Sequence, residues 1–258
     1  MLPIIHIGPL AIQTSGLILL VGFWFGLDLA RRQASSLEII PQTVDNLVLI
    51  STITGVMGAR LAVVSRYPGA FLLNPASLVS LNLGLFDVPV GIFLAVLAGW
   101  LYAQSKQLSV WILLDILTPG FALFAAAMGF SDLASGSAFG APTSLPWGIQ
   151  LWGAKRHPSQ VYEILAAIAI FVIVWRFSHP RATWRLPAGL VFLAFAALTS
   201  FSTLILEAFR DDSVLIMGQL HRNQLIAWVL LAVCLSAMGA KLKFSQAGDK
   251  QYVSNHQV

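Results

Sequence analysis

Seven stretches of this chain are long and apolar enough to cross a lipid bilayer, and they leave little freedom for the rest. They lie near Ser15–Ala30, Val44–Val64, Val88–Gln104, Val110–Phe130, Val161–Arg176, Pro187–Leu206 and Arg222–Ala240. A spanning helix needs about 20 residues. In hydrocarbon each backbone N–H and C=O must be satisfied within the structure, and for runs of this length the helix does that. Of the 258 residues, 57% are hydrophobic and only 10% charged, against about 25% charged in soluble domains. The expected fold is an all-α integral membrane protein with about seven transmembrane helices. Residues 1–240 are expected to form a single seven-helix domain, with 241–258 a polar, frayed C-terminal tail.

Charge placement sets the expected topology, because Lys and Arg concentrate on the cytoplasmic side. With the N-terminus outside, the inner connections hold Arg31, Arg32, Lys106, Arg176, Arg181, Arg185, Lys241, Lys243 and Lys250. The outer ones hold Arg66, Lys155, Arg156, Arg210 and Arg222. This bias favours N-terminus out and C-terminus in. It also places the connections 65–87, 131–160 and 207–221, which are rich in unusual polar residues, on the outer face. The net charge of +4 then reflects topology and anionic headgroups, and no nucleic-acid partner is expected. Cys234 is the only cysteine; it lies in the last span, forms no intramolecular disulfide and is expected to pack. Residues 1–13 carry no basic stretch ahead of an apolar one, so the first span is expected to anchor the mature chain. No internal repeat of the transporter kind is visible.

Polar chemistry collects at three places. Residues 156–163 read Arg-His-Pro-Ser-Gln-Val-Tyr-Glu at the mouth of the fifth span. His157, Gln160 and Glu163 recur every third residue and share a helix face, while Pro158 suits a first helical turn. The run reads either as a capped helix start with an interfacial Tyr162 or as a site, since polar groups at that depth are costly. Arg60 sits late in the second span beside a small-residue face of Gly55, Gly58 and Ala59, which invites close helix packing. It either snorkels or pairs with an acid, or it binds a headgroup phosphate through its planar fork. Arg210 closes the sixth span within Glu207-Ala-Phe-Arg-Asp-Asp212, with Met217-Gly218-Gln219 following. It is either salt-bridged to one of those acids or a second phosphate ligand. Nothing has metal-ligand spacing.

The run from His157 to Glu163 resembles the His-Pro-Ser-Gln-x-Tyr-Glu motif of the prolipoprotein diacylglyceryl transferases. Arg60 matches that family's Gly-Gly-Arg, with Ala59 in place of the second Gly. Phe209-Arg210 with its acidic loop and Met217-Gly218-Gln219 match as well, as does Ile7-Gly8-Pro9-Leu10-Ala11-Ile12. The resemblance runs in unbroken order from Ile7 to about Gly239. It implies helices around a central lipid-accessible cavity in the bacterial plasma (inner) membrane. It also implies transfer of diacylglyceryl from phosphatidylglycerol to the cysteine thiol of a prolipoprotein lipobox, with membrane lipid as the setting and neither cofactor nor metal. His157, Glu163 and Tyr162 are the catalytic candidates on this resemblance. Arg60, Arg210, Gln160, Asp132, Gly136 and Gln219 are the substrate-binding candidates. Arg60, His157, Glu163 and Arg210 are expected to converge at the outer half of one cavity.

The sequence also departs from the family. Where the family's third span opens on Phe-His-Gly-Gly, this chain reads Leu85-Phe86-Asp87-Val88-Pro89, and Asp87 is expected to cap a helix. Ser15 replaces an aromatic phenol. In the family's headgroup motif Gly136 and Gly140 match, Asp132 and Ser135 stand at amide positions, Ser137 at a Glu position and Gly129 at the arginine. Asp87, Asp132 and His157 remain as groups able to accept a proton. The alternative is a non-catalytic lipid- or lipoprotein-binding paralogue on the same scaffold.

Overall fold

The computed structural model describes residues 4–7, 10–75, 77, 85–178, 186–216 and 220–255. Its helices are α1 (Thr14–Ser36), α2 (Pro41–Arg66), α3 (Pro68–Leu73), α4 (Val88–Ser105), α5 (Val110–Ser135), α6 (Ser159–Ser178), α7 (Leu190–Leu206) and α8 (Arg222–Asn255). Three short antiparallel hairpins accompany them: β1–β2 (Ile4–Ile7, Leu10–Gln13), β3–β4 (Ile149–Leu151, Ala154–Arg156) and β5–β6 (Leu215–Ile216, Leu220–His221). All but α3 are long and apolar enough to span a bilayer, and each falls on one of the seven expected stretches. Large apolar side chains such as Leu20, Trp24, Phe93, Val96 and Trp228 are each more than half exposed. Water would not tolerate that much apolar surface, whereas lipid does.

The ends differ from expectation for local reasons. α5 runs on past Phe130 to Ser135, where Gly136 adopts the left-handed φ of 79° and donates its N–H to Asp132 O. α8 continues past Ala240 through the expected tail to Asn255, a proline-free stretch with several Lys and Gln that resists helix formation only weakly. α7 begins at Leu190, later than Pro187, because a partly buried acid from another helix caps it. Asp115 of α5 accepts the N–H groups of Gly189, at 2.5 Å, and Phe192, at 2.9 Å. That satisfies two of the donors every helix start leaves open.

The chain divides into two compact units, Met1–Gln33 with Leu114–Val258, and Ala34–Leu113. In the smaller unit α2 packs along α4 through small residues. A Cβ on Gly91 would lie 2.8 Å from Ala59 Cβ and 2.9 Å from Gly55 O, so the expected small-residue face is the contact face. Asp87 caps α4 by accepting Val90 N–H at 3.2 Å and pairs with Arg66 at 2.8 Å. Arg60, 8% exposed, donates to the carbonyls of Leu85 (3.2 Å) and Ser77 (2.5 Å) and lies 4.7 Å over the Phe86 ring.

In the larger unit α6 packs on α7 through Ile170, Val174 and Val191. α7 packs on α8 through Leu193, Ala197 and Cys234, so the cysteine packs as expected. Because a side chain at position 91 meets both backbone and Ala59, Gly91→Leu is expected to cost at least about 1–3 kcal/mol of overpacking strain. The check is a lowered thermal midpoint in detergent beside Val96→Leu, which faces away and should match the parent.

Candidate active site

The larger unit holds a cavity of about 320 Å³ lined by α5, α6, α7 and the start of α8. One part is apolar, with Ala122, Ala125, Ala167, Ile170 and Phe195. The other is polar, with Asp132, Glu163, Thr199, Ser202, Thr203, Glu207, Arg210 and Asn223. Asp132 comes from the last turn of α5 and Glu163 from the first turns of α6. Glu207 and Arg210 come from the 3-10 turn Glu207–Phe209 and the residue after it.

Arg210 is the hub of the polar part. Its Nε and Nη2 donate to the two carboxylate oxygens of Asp212, at 3.0 and 3.2 Å, and its Nη1 to Glu163 Oε1 at 3.3 Å. Burial works against its charge, yet the Asp212 hydrogen bonds and the fields of Glu163, Asp212 and Glu207 outweigh burial and hold its pKa above the usual arginine value. It is therefore a permanent cation. A guanidinium has five N–H donors; three are engaged among the described residues, and one on each terminal nitrogen is not. Glu207, 3% exposed, accepts from Asn223 Nδ2 at 2.8 Å.

The His157–Glu163 run shapes the wall beside the cavity. Ser159 Oγ donates to Ala138 O at 2.5 Å and Gln160 Nε2 to Ser137 O at 2.8 Å. Both side chains are fully buried, and Gln160 Oε1 has no hydrogen-bond partner among the described residues. The two residues thus pin the connection after α5 to the start of α6. His157 lies in an aromatic cluster, 5.2 Å from the Phe209 ring and 6.2 Å from Tyr162, with Nδ1 3.5 Å from Tyr162 Oη. Trp147 Nε1 donates to the same Tyr162 oxygen at 2.9 Å.

Residues 139–143 run as an extended segment between two others. Ala141 N donates to Phe209 O, Asp211 N to Phe139 O, His157 N to Ala141 O and Thr143 N to Lys155 O, all within 3.1 Å. Gly140 lies at the closest approach, where a Cβ would run into the His157 carbonyl. Arg156 fastens this layer: it bonds Asp211 at 2.6 Å, Leu151 O and Gly140 O at 3.2 Å, and lies 4.9 Å over Phe139.

Of the residues the sequence singles out, the structure brings Asp132, Glu163 and Arg210 to one cavity. His157, Tyr162, Gln160 and Gly136 build its adjoining wall. Arg60 belongs to the smaller unit, and Gln219, with Met217 and Gly218, lies outside the described residues. Asn223 and the α7 stripe of Thr199, Ser202 and Thr203 are cavity parts that the motif reading passes over. The stripe was visible as polar residues at helical spacing in an otherwise apolar span.

Seven helices of membrane-spanning length and apolarity, with a charged, half-apolar pocket in the larger unit, define a multi-pass membrane protein. Residues 3–239 match the model of the prolipoprotein diacylglyceryl transferase family, and the chain belongs to that family, whose members are membrane-embedded transferases. It is 33% identical over 194 residues to the phosphatidylglycerol–prolipoprotein diacylglyceryl transferase of Bordetella parapertussis, covering 71% of this chain and 74% of that one. To the protein of the same name from Solidesulfovibrio magneticus it is 36% identical over 189 residues, 69% and 70% of the two chains. To that of a Nostoc species it is 25% identical over 247 residues, 91% and 87%.

Arg156→Ala is expected to loosen the 139–143 layer by removing charge-assisted bonds worth about 1.5–3 kcal/mol each. The readout is faster tryptic cleavage at Lys155, together with a lower thermal midpoint.

Proposed function

We propose that this chain moves the diacylglyceryl unit of phosphatidylglycerol onto the lipobox cysteine thiol of prolipoprotein signal peptides, in the bacterial plasma membrane. The observation that carries the reading is Arg210, a permanent cation at the polar part of a half-apolar cavity with two N–H donors not engaged among the described residues. A phosphate accepts a guanidinium fork bidentately, and as glycerol phosphate leaves it gathers negative charge that a preorganised cation stabilises. Glu163 and Asp212 fix the fork, and Glu163, Asn223 and the α7 hydroxyls offer partners to the headgroup hydroxyls. The cavity volume, about 320 Å³, is at the low end of small-molecule sites, about 300–1,000 Å³. It suits a phosphoglycerol headgroup, while two acyl chains need the lipid-facing flanks.

The other expected site residues take supporting roles in this reading. His157 and Tyr162 hold the wall through Phe209 and Trp147, beside the acceptor peptide. Gln160 and Gly136 shape the turn after α5, and Gln219 is kept as a headgroup contact. Arg60 is read as the tie of the segment ahead of α4, since two carbonyls take its donors. The seven spans are read as one transmembrane domain with the N-terminus outside and the C-terminus cytoplasmic. A C-terminal fluorescent-protein fusion should then be bright, and an alkaline phosphatase fusion at the same site inactive.

One observation favours a second reading, a lipid- or lipoprotein-binding protein without transfer activity. Asp87, which stands near the family's third-span histidine, is committed to Val90 N–H and Arg66. The deciding experiment supplies purified protein with phosphatidylglycerol and a lipobox peptide and looks for the thioether by mass, beside a control reaction without protein. Product above that control supports transfer; bound lipid with no product supports the second reading. Arg210→Ala is expected to weaken phosphatidylglycerol binding about tenfold or more, a charged hydrogen bond being worth roughly 1.5–3 kcal/mol. Arg210→Lys should recover only part of it, lacking the fork. Arg60→Ala should lower thermal stability and leave lipid affinity within about twofold, being a loss of backbone ties.

A further inference from the structure

Four carboxylates surround Arg210, and three of them already have work. Asp212 accepts two hydrogen bonds from Arg210, Glu163 accepts one, and Glu207 accepts from Asn223. The fourth, Asp132, lines the same cavity, and its carboxylate accepts no hydrogen bond among the described residues. It stands on the last turn of α5, within electrostatic reach of Arg210 and Asp212, and Glu163 in turn feels it from α6. It is half-buried rather than solvated. Its own backbone carbonyl is bound by Gly136 N, which fixes the turn that carries it. A carboxylate held in a reaction cavity with both oxygens open is placed to take a proton.

We propose that Asp132 is the general base that takes the proton of the acceptor thiol. The proposal rests on the transferase reading above. The thiol gives its proton to an Asp132 oxygen, leaving the thiolate, which is the nucleophile. The thiolate sulfur bonds the glyceryl methylene carbon as the bond from that carbon to the phosphate oxygen breaks. The electron pair stays on the phosphate oxygen beside Arg210. Asp132 then passes its proton to the departing phosphate, so glycerol phosphate leaves, the thioether remains and no proton is gained or lost. The pairing of roles is electrostatically coherent: the cation faces the charge that grows on the leaving group, and the open carboxylate faces the group that must lose a proton. His157 is less suited, with Nδ1 turned to Tyr162 and its ring against Phe209. Asp87 is committed to the α4 cap.

The test uses the full-length protein in detergent with phosphatidylglycerol and a lipobox peptide, comparing the parent with Asp132→Asn. The amide keeps the shape and cannot take the proton. At about pH 7 the variant should lose roughly 10²–10⁴ in kcat/KM, the range general-base help supplies. The gap should narrow about tenfold per pH unit up to about 8.5, where a free thiol ionises unaided. Phosphatidylglycerol affinity should stay at or above the parent's. A variant within about threefold of the parent at every pH, or a deficit independent of pH, overturns the role and leaves the transferase standing, since general-base loss must be larger and pH-dependent. A parent that makes no thioether overturns both. If Asp132→Asn fails to fold, the parent's own profile decides: kcat/KM flat from about pH 7 to 8.5 supports a protein base. A tenfold rise per unit says that none is used.

Discussion

A charge inside a membrane protein has to be paired, and the pairing of Arg210 organises the site around it. Its partners come from α6 and from the loop after α7, so one guanidinium joins the first turns of one helix to the end of another. In a region of low dielectric such contacts are stronger than in water, and an unpaired partner is correspondingly costly. Removing Arg210 would leave Glu163 and Asp212 facing each other beside Asp132 and Glu207. One cation thus ties two acids from separate elements, with Asp132 and Glu207 close by. Binding a phosphate there adds a further anion to the open side of that cation.

The second principle is borrowed satisfaction of backbone groups. Helix ends in apolar surroundings expose donors and acceptors with no water to meet them. The structure meets them with side chains from elsewhere in the chain. Asp115 of α5 caps α7, Arg60 holds carbonyls before α4, and Ser159 and Gln160 hold those of Ala138 and Ser137. Several residues that look like chemistry in the sequence are of this kind. Ser159 and Gln160 belong to the His157–Glu163 motif, yet their side chains donate to backbone carbonyls. They fix the connection that follows α5 and the Gly136 turn. Close backbone approach works alongside: at Gly140 there is room for the His157 carbonyl only because no Cβ intervenes.

The spans, and the family through its motifs, were legible in the sequence because both are local properties. Twenty apolar residues make a bilayer-length helix whatever surrounds them, and seven such runs reappear with ends shifted by a few residues, α8 apart. His157-Pro158-Ser159-Gln160 and Phe209-Arg210 carry their identity in residue order. Asp87 before Pro89 announced a cap, and the structure has it. What the sequence left open was the partner of each polar residue. Arg210 had Glu207, Asp211 and Asp212 as neighbours in the chain. It takes Asp212 together with Glu163, 47 residues away, while Asp211 goes to Arg156. Arg60 looked equally ready for a phosphate, and in the structure it donates to the carbonyls of Leu85 and Ser77. Which acid meets which base depends on helix packing over distances that no local pattern encodes. Only the tertiary structure decided that Asp132 lines the cavity with no hydrogen bond to its carboxylate among the described residues.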